Sequence, residues 1–202
     1  MKRTTGACSA WDVSAFISRT GRAAAGWRRV FRVMVLFFFL CGAAGAQTGD
    51  WGWMGGSNVV SDPEVSYAGT AGGCGPKGVA APGNNPGSRR YSARWTDAKG
   101  HFWLFGGDGW DCVGIHGYLN DLWEFDSATD EWTWVSGSSS VGMSATGVRG
   151  RPGVYGKLGV AAPGNVPGGR QYAAAWSDKS GHLWLFGGDG MDGSSAGNLN
   201  DL

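Results

Sequence analysis

The sequence predicts an all-β chain built from repeated four-stranded antiparallel sheets, preceded by a short export leader. Residues 78–111 recur without a gap as residues 159–192, with 24 of 34 positions identical, and self-similarity at a fixed period marks a repeat architecture. The 202 residues include 38 Gly, 7 Pro and 12 Trp, and turn formers combined with large apolar side chains fit short strands joined by tight turns. No stretch of the body carries an apolar period of 3.6 residues over a useful length, so no helix is expected. The Gly and Pro content alone would suggest low-complexity disorder. The aromatic share of 13% opposes that, because disordered chains lack the side chains that drive burial.

Residues 1–46 read as a signal peptide. Arg28, Arg29 and Arg32 precede an apolar run, residues 33–40, that continues into small residues and ends on Ala44-Gly45-Ala46, the small-x-small spacing a signal peptidase accepts. The apolar stretch is too short for the roughly 20 residues a bilayer requires. Membrane attachment is therefore expected only if the leader stays uncleaved. The leader holds seven Lys/Arg against one acid, and residues 47–202 hold ten against fifteen. A mildly acidic body without a basic cluster excludes nucleic acid as an expected partner, since phosphate contacts need a basic face. Export implies a secreted, periplasmic or cell-surface address and an oxidising environment, in which Cys74 and Cys112 are the cysteines left outside the leader.

Within one repeat, four strands are expected. Residues 89–96 form the first and run into Asp97-Ala98-Lys99-Gly100, which suits a type I turn closed by a Gly with positive φ. Residues 101–105 form the second, ended by Gly106-Gly107. Residues 119–125 form the third, and 126–130 a polar turn. Residues 132–135 form the fourth. Several strands are apolar on both faces, as Trp103-Leu104-Phe105 shows, which suits a sheet stacked between two others. A repeated four-stranded unit covered on both faces is a propeller blade.

The repeat resembles that of the kelch β-propellers. Its residues are an apolar run into Gly106 and Gly107, then Phe125, six residues, and Trp132, with Gly187 and Gly188 recurring in the second repeat. Phe125 stands where the family usually has Tyr. The resemblance implies about one full blade (89–135), the outer strand of a preceding blade (51–57) and the start of a following one (170–202). Long inter-blade loops are expected at 58–88 and 136–169. They stretch the period to 81 residues from the usual length of about 50.

Insertions on repeat scaffolds gather on one face, which is where ligands are met. That long-loop face is expected to carry Asp108, Trp110 and Asp111, with Asp189 and Asp192 as their counterparts, all in exposed loops. Cys74 and Cys112 fall on the same face. The second repeat lacks both, so a Cys74–Cys112 disulfide is expected. No catalytic or metal-ligand pattern emerges: there is no nucleophile elbow, no phosphate-cradling loop and no His pair. His101 and His182 occupy equivalent strand starts, which favours a structural role. The expected function is a non-enzymatic binding or scaffold module for protein or carbohydrate, without cofactor. The alternative, implied by the galactose oxidases that share the kelch fold, is a copper-dependent carbohydrate oxidase whose site lies outside this stretch. No residue here can be assigned to that site.

Overall fold

A computed structural model describes residues 52–61, 68–144 and 147–202. The expected leader, 1–46, and Trp51 lie outside the described residues. The chain is all-β with antiparallel sheets, and no helix occurs among the described residues. Residues 52–61 form no strand.

The first repeat folds as a meander. Strands β1 (Arg89–Arg90) and β2 (Ala93–Thr96) both pair with β3 (Phe102–Trp110), which pairs with β4 (His116–Asp126), which pairs with β5 (Glu131–Ser136). β1 and β2 are one edge strand broken at Tyr91, where φ is 59°. Opposite that break the register of β3 slips between Phe105 and Gly107. Gly106 and Gly107 have φ of 61° and 101°, a region that side chains disfavour. A Cβ on Gly107 would sit 2.6 Å from the Arg90 carbonyl oxygen. The double Gly is thus a bulge that lets the strand continue, whereas the sequence suggests a strand end. β3 runs on to Trp110, and the β3–β4 loop shrinks to residues 111–115.

The hairpin turns follow from their Asp residues. Asp97 Oδ1 accepts the backbone amides of Lys99 (2.8 Å) and His101 (3.0 Å), and Gly100 N–H closes on the Asp97 carbonyl at 3.1 Å. Gly100 has φ of 88°, as a turn of this type requires. Asp178 holds the second repeat's turn through Ser180 and His182 in the same way.

The second repeat forms β6 (Arg170–Gln171), β7 (Ala174–Ser177), β8 (Leu183–Phe186), β9 (Gly188–Met191) and β10 (Ala196–Leu199). β6 and β10 flank β9, while β7 pairs with β8. The repeats pack through their aromatic residues. Ala93, Trp95 and Phe105 form a core against Trp103, Leu122, Ala175, Leu183 and Leu185. The Trp95 indole donates to the carbonyls of both Trp176 and Trp184 at 3.1 Å. Tyr91 and Tyr172 stack with ring centroids 4.1 Å apart.

One clasp is built twice. Arg89 donates to both carboxylate oxygens of Asp121 (2.7 and 2.8 Å), to the Gly106 carbonyl and to its neighbour Gly87. Arg170 does the same with Asp201 (2.6 and 2.8 Å), Gly187 and Gly168. Asp121 also accepts the indole of the fully buried Trp123 at 2.7 Å. Bidentate pairing satisfies charges that burial would otherwise penalise. Burial pulls the Asp201 carboxyl up, but the Arg170 and Tyr155 hydrogen bonds outweigh it and hold it below the ordinary range.

The insertions are packed segments. Cys74 and Cys112 are bonded, with Cα atoms 5.7 Å apart, tying the first insertion to the β3–β4 loop. From there it runs along the outer edge of β5, with Gly78 N–H donating to the Trp134 carbonyl at 2.8 Å. The Asn84 amide donates to the Trp132 carbonyl at 2.9 Å.

Candidate functional site

Extending β3 and β4 past the bulge carries polar side chains onto one face at the long-loop end. Arg90 pairs with Asp108, Asp108 with Tyr118, and Trp110 with His116 across the ladders. Side chains alternate along a strand, so 108 and 110 share a face with 116 and 118. The result is a cleft of two adjoining hollows, about 290 Å³ and about 320 Å³, that share Arg90, Asp108 and His116. Trp110 and the backbone at Gly69 and Ser88 wall one side. Tyr118, Arg149 and Gln171 wall the other.

Asp108 is the hinge of the cleft. One of its oxygens accepts Arg90 Nε and Nη2 at 3.0 and 2.8 Å, and the other lies 3.4 Å from His116 Nε2. The half-buried Trp110 meets the His116 ring edge-on, with centroids 5.6 Å apart. Tyr118 donates to Asp189 Oδ2 at 2.8 Å, and the Gln171 amide donates to the same oxygen at 3.1 Å. Burial and that bond to an anion push the Tyr118 phenol up to about 12. Three arginines (Arg89, Arg90 and Arg149) and one acid, Asp108, line the cleft, with Arg89 held by Asp121 and Arg90 by Asp108, and planar donors and acceptors stand beside an indole. It has the chemistry to take a hydroxyl-rich ligand.

Of the expected binding residues, Asp108 and Trp110 line the cleft, and Asp189 anchors its Tyr118 wall. All three lie in strands rather than in an exposed loop. Asp111 and Asp192 serve their own turns. Asp111 is 2% exposed, and its carboxylate accepts the amides of Val113, Ile115 and Val141 at 2.6–2.9 Å. Asp192 accepts the amides and hydroxyls of Ser194 and Ser195, and the two amide bonds hold its carboxyl below the ordinary range. Sequence reasoning missed Arg90, His116, Tyr118, Arg149 and Gln171. The period-two alternation would have flagged His116 and Tyr118, had the strands been carried past the double Gly.

Asp97, His101 and Glu124 converge at the opposite, short-turn end and could together hold a cation. His101 Nδ1 lies 2.6 Å from Glu124 Oε1 and 3.4 Å from Asp97 Oδ2. Asp97, however, already accepts two backbone amides and the Trp103 indole (3.1 Å). The Asp178–His182 pair repeats the arrangement, with the Trp184 indole donating to Asp178. These hydrogen bonds also tie the cluster to its hairpin, a grouping that the sequence reading did not single out.

No protein-family model, curated protein or solved structure matches the chain.

Proposed function

We propose that the protein is an exported kelch-type propeller protein that binds a carbohydrate, without turning it over, in the cleft around Asp108. One observation carries this reading: a set of planar hydrogen-bonding side chains (Arg90, Asp108, His116, Tyr118, Arg149 and Gln171) converges beside Trp110. Sugar rings are held by hydrogen bonds to such groups and by stacking on aromatic faces. The antiparallel meander of the first repeat, the recurrence of its sequence at 81 residues and the aromatic core between the repeats support reading each repeat as a blade. An oxidase of the galactose-oxidase type would need a Tyr joined to a Cys. Cys74 and Cys112 are joined to each other, so neither supplies that bond, and the site of such an oxidase would lie outside this stretch.

The test is a glycan array probed with the full chain, followed by titration of any hit with Trp110→Ala and Asp108→Ala. Each variant is expected to weaken binding by about tenfold or more, equivalent to about 1.4 kcal/mol, with the sugar recovered unchanged. Retention of no glycan, unchanged affinity in both variants, or release of an oxidised sugar would overturn the proposal.

A further inference from the structure

We propose that Asp97, His101 and Glu124 form a binding site for a divalent transition-metal ion of the zinc class, at the short-turn end of the first repeat. The fold brings the three side chains together from two directions. The turn between β2 and β3 closes with the Asp97 amide on the His101 carbonyl at 3.0 Å, which makes residues 97 and 101 neighbours. Trp103 pairs with Glu124 across the β3–β4 ladder. His101 precedes Trp103 by two positions, so His101 and Glu124 stand on the same face of the sheet. One donor atom from each of the three residues lies within 4.8 Å of the others.

The donor set selects the metal. One imidazole nitrogen and two carboxylates suit zinc, which takes three protein ligands and a water in an open site. Calcium wants about six to eight oxygens, more than this cluster offers. Zinc–ligand bonds of about 2.0–2.2 Å set tetrahedral ligand atoms about 3.3 Å apart. His101 Nδ1 is 3.4 Å from Asp97 Oδ2, already at that spacing, and 2.6 Å from Glu124 Oε1. Glu124 therefore withdraws by about 0.7 Å as the ion enters, and its side chain is 26% exposed and has room to do so. The proton that His101 Nδ1 shares with Glu124 leaves for solvent, and the ion takes its place between them.

Asp97 is oriented for this role in advance. Its Oδ1 accepts the amides of Lys99 and His101, and its Oδ2 accepts the Trp103 indole at 3.1 Å. That leaves Oδ2 a second lone pair for the ion. Partners of this kind fix a metal ligand's orientation and form the outer half of a metal site. A divalent ion here neutralises both carboxylates and ties the β2–β3 turn to β4. All three side chains are partly exposed, so the ion can enter and keep a water as its fourth ligand. In the second repeat, Asp178 and His182 supply two of the three donors, which makes that pair a built-in control. The site lies away from the cleft and does not rest on the carbohydrate reading.

The probe is zinc chloride added to the untagged full chain, followed by calorimetry and by the imidazole resonances of His101. The expected result is saturable binding with a dissociation constant below about 100 μM and a shift of the His101 ring signals on loading. Glu124→Gln keeps an acceptor for His101 but is a far weaker ligand, so its effect reads coordination rather than folding. His101→Ala removes the nitrogen. Each is expected to weaken binding by about tenfold or more, while His182→Ala leaves it unchanged. Zinc held elsewhere in the chain persists in both variants and is subtracted. Affinity unchanged in both variants, His101 signals that do not move, a loss in His182→Ala as large as in His101→Ala, or calcium bound there as tightly as zinc would overturn the proposal.

Discussion

Replacing Asp121 by Ala removes three hydrogen bonds at once. Two come from the Arg89 guanidinium and one from the Trp123 indole. The side chains of Arg89 and Asp121 are only 6% and 2% exposed, so the variant leaves a buried cation without its anion. Breaking such a pair costs about 3–5 kcal/mol, and the orphaned indole adds about 1 kcal/mol. A sum of about 4–6 kcal/mol is a large part of the 5–15 kcal/mol that holds a typical domain together. The second repeat supplies the control. Asp201 holds Arg170 with the same geometry, and the Arg170 side chain is 1% exposed, but Asp201 is 25% exposed, so water can enter where the carboxylate was and Asp201→Ala is expected to cost roughly 1–3 kcal/mol. Urea unfolding followed by tryptophan fluorescence reads both values. Adding Arg89→Met to Asp121→Ala should recover about 2 kcal/mol, because the stranded charge is gone. If Asp121→Ala leaves too little folded protein, Asp121→Asn, which keeps an acceptor for the indole, carries the same comparison. The reasoning fails if Asp121→Ala costs no more than Asp201→Ala, or if the double variant is simply additive.

The Cys74–Cys112 bond closes a loop of 38 residues, so the Cys74→Ser, Cys112→Ser double variant is expected to lose about 4 kcal/mol of unfolding free energy in the chain-entropy account. A denaturation midpoint indifferent to reductant would contradict that. Tyr118 ionises near 12 in the folded chain against about 10 unfolded. The stability it contributes is therefore complete below pH 10 and lost as pH rises from 10 to 12. Absorbance at 295 nm should show a late phenol that Tyr118→Phe removes. For Asp97, burial raises the carboxyl pKa, but the Trp103 indole and the backbone amides of His101 and Lys99 outweigh it and lower it. Its contribution is present above the ordinary carboxylate range and falls away as pH drops through the lowered value. Asp97→Asn should flatten that acid limb of the stability curve, and an unchanged limb would refute the assignment.

Much of the fold was legible because repetition does not depend on context. The 81-residue period, the Asp97–Gly100 turn and the aromatic strands can each be read locally. The strand limits could not be read so well, because Gly106-Gly107 signals both a strand end and a bulge. Only the carbonyls of Arg90 and Leu119, which press on those glycines, decide between them. That ambiguity also hid the cleft: stopping β3 at Phe105 leaves Asp108 and Trp110 in a loop and His116 alone, although alternation across the extended ladder joins them. The Arg89–Asp121 clasp was hidden for another reason. Both residues recur in the second repeat, but 32 positions separate them, and no local pattern links a strand-start Arg to an Asp in a distant strand. Asp111 illustrates the opposite error: an acid beside a Gly-rich loop suggests a ligand contact, while its carboxylate is spent on three backbone amides.

Both repeats share the same first hairpin and strand-edge pairings, and in the first repeat the double Gly is a bulge within β3 rather than a strand end. Cross-strand nuclear Overhauser effects test it most directly. Contacts are expected for Leu104–Trp123 and Ala93–Phe105 on one side of the bulge and for Asp108–Tyr118 on the other, with Ala174–Phe186 as the second repeat's counterpart of Ala93–Phe105. Helical sequential contacts, or a β3 ladder that ends at Phe105 with residues 108–118 unpaired, would contradict it.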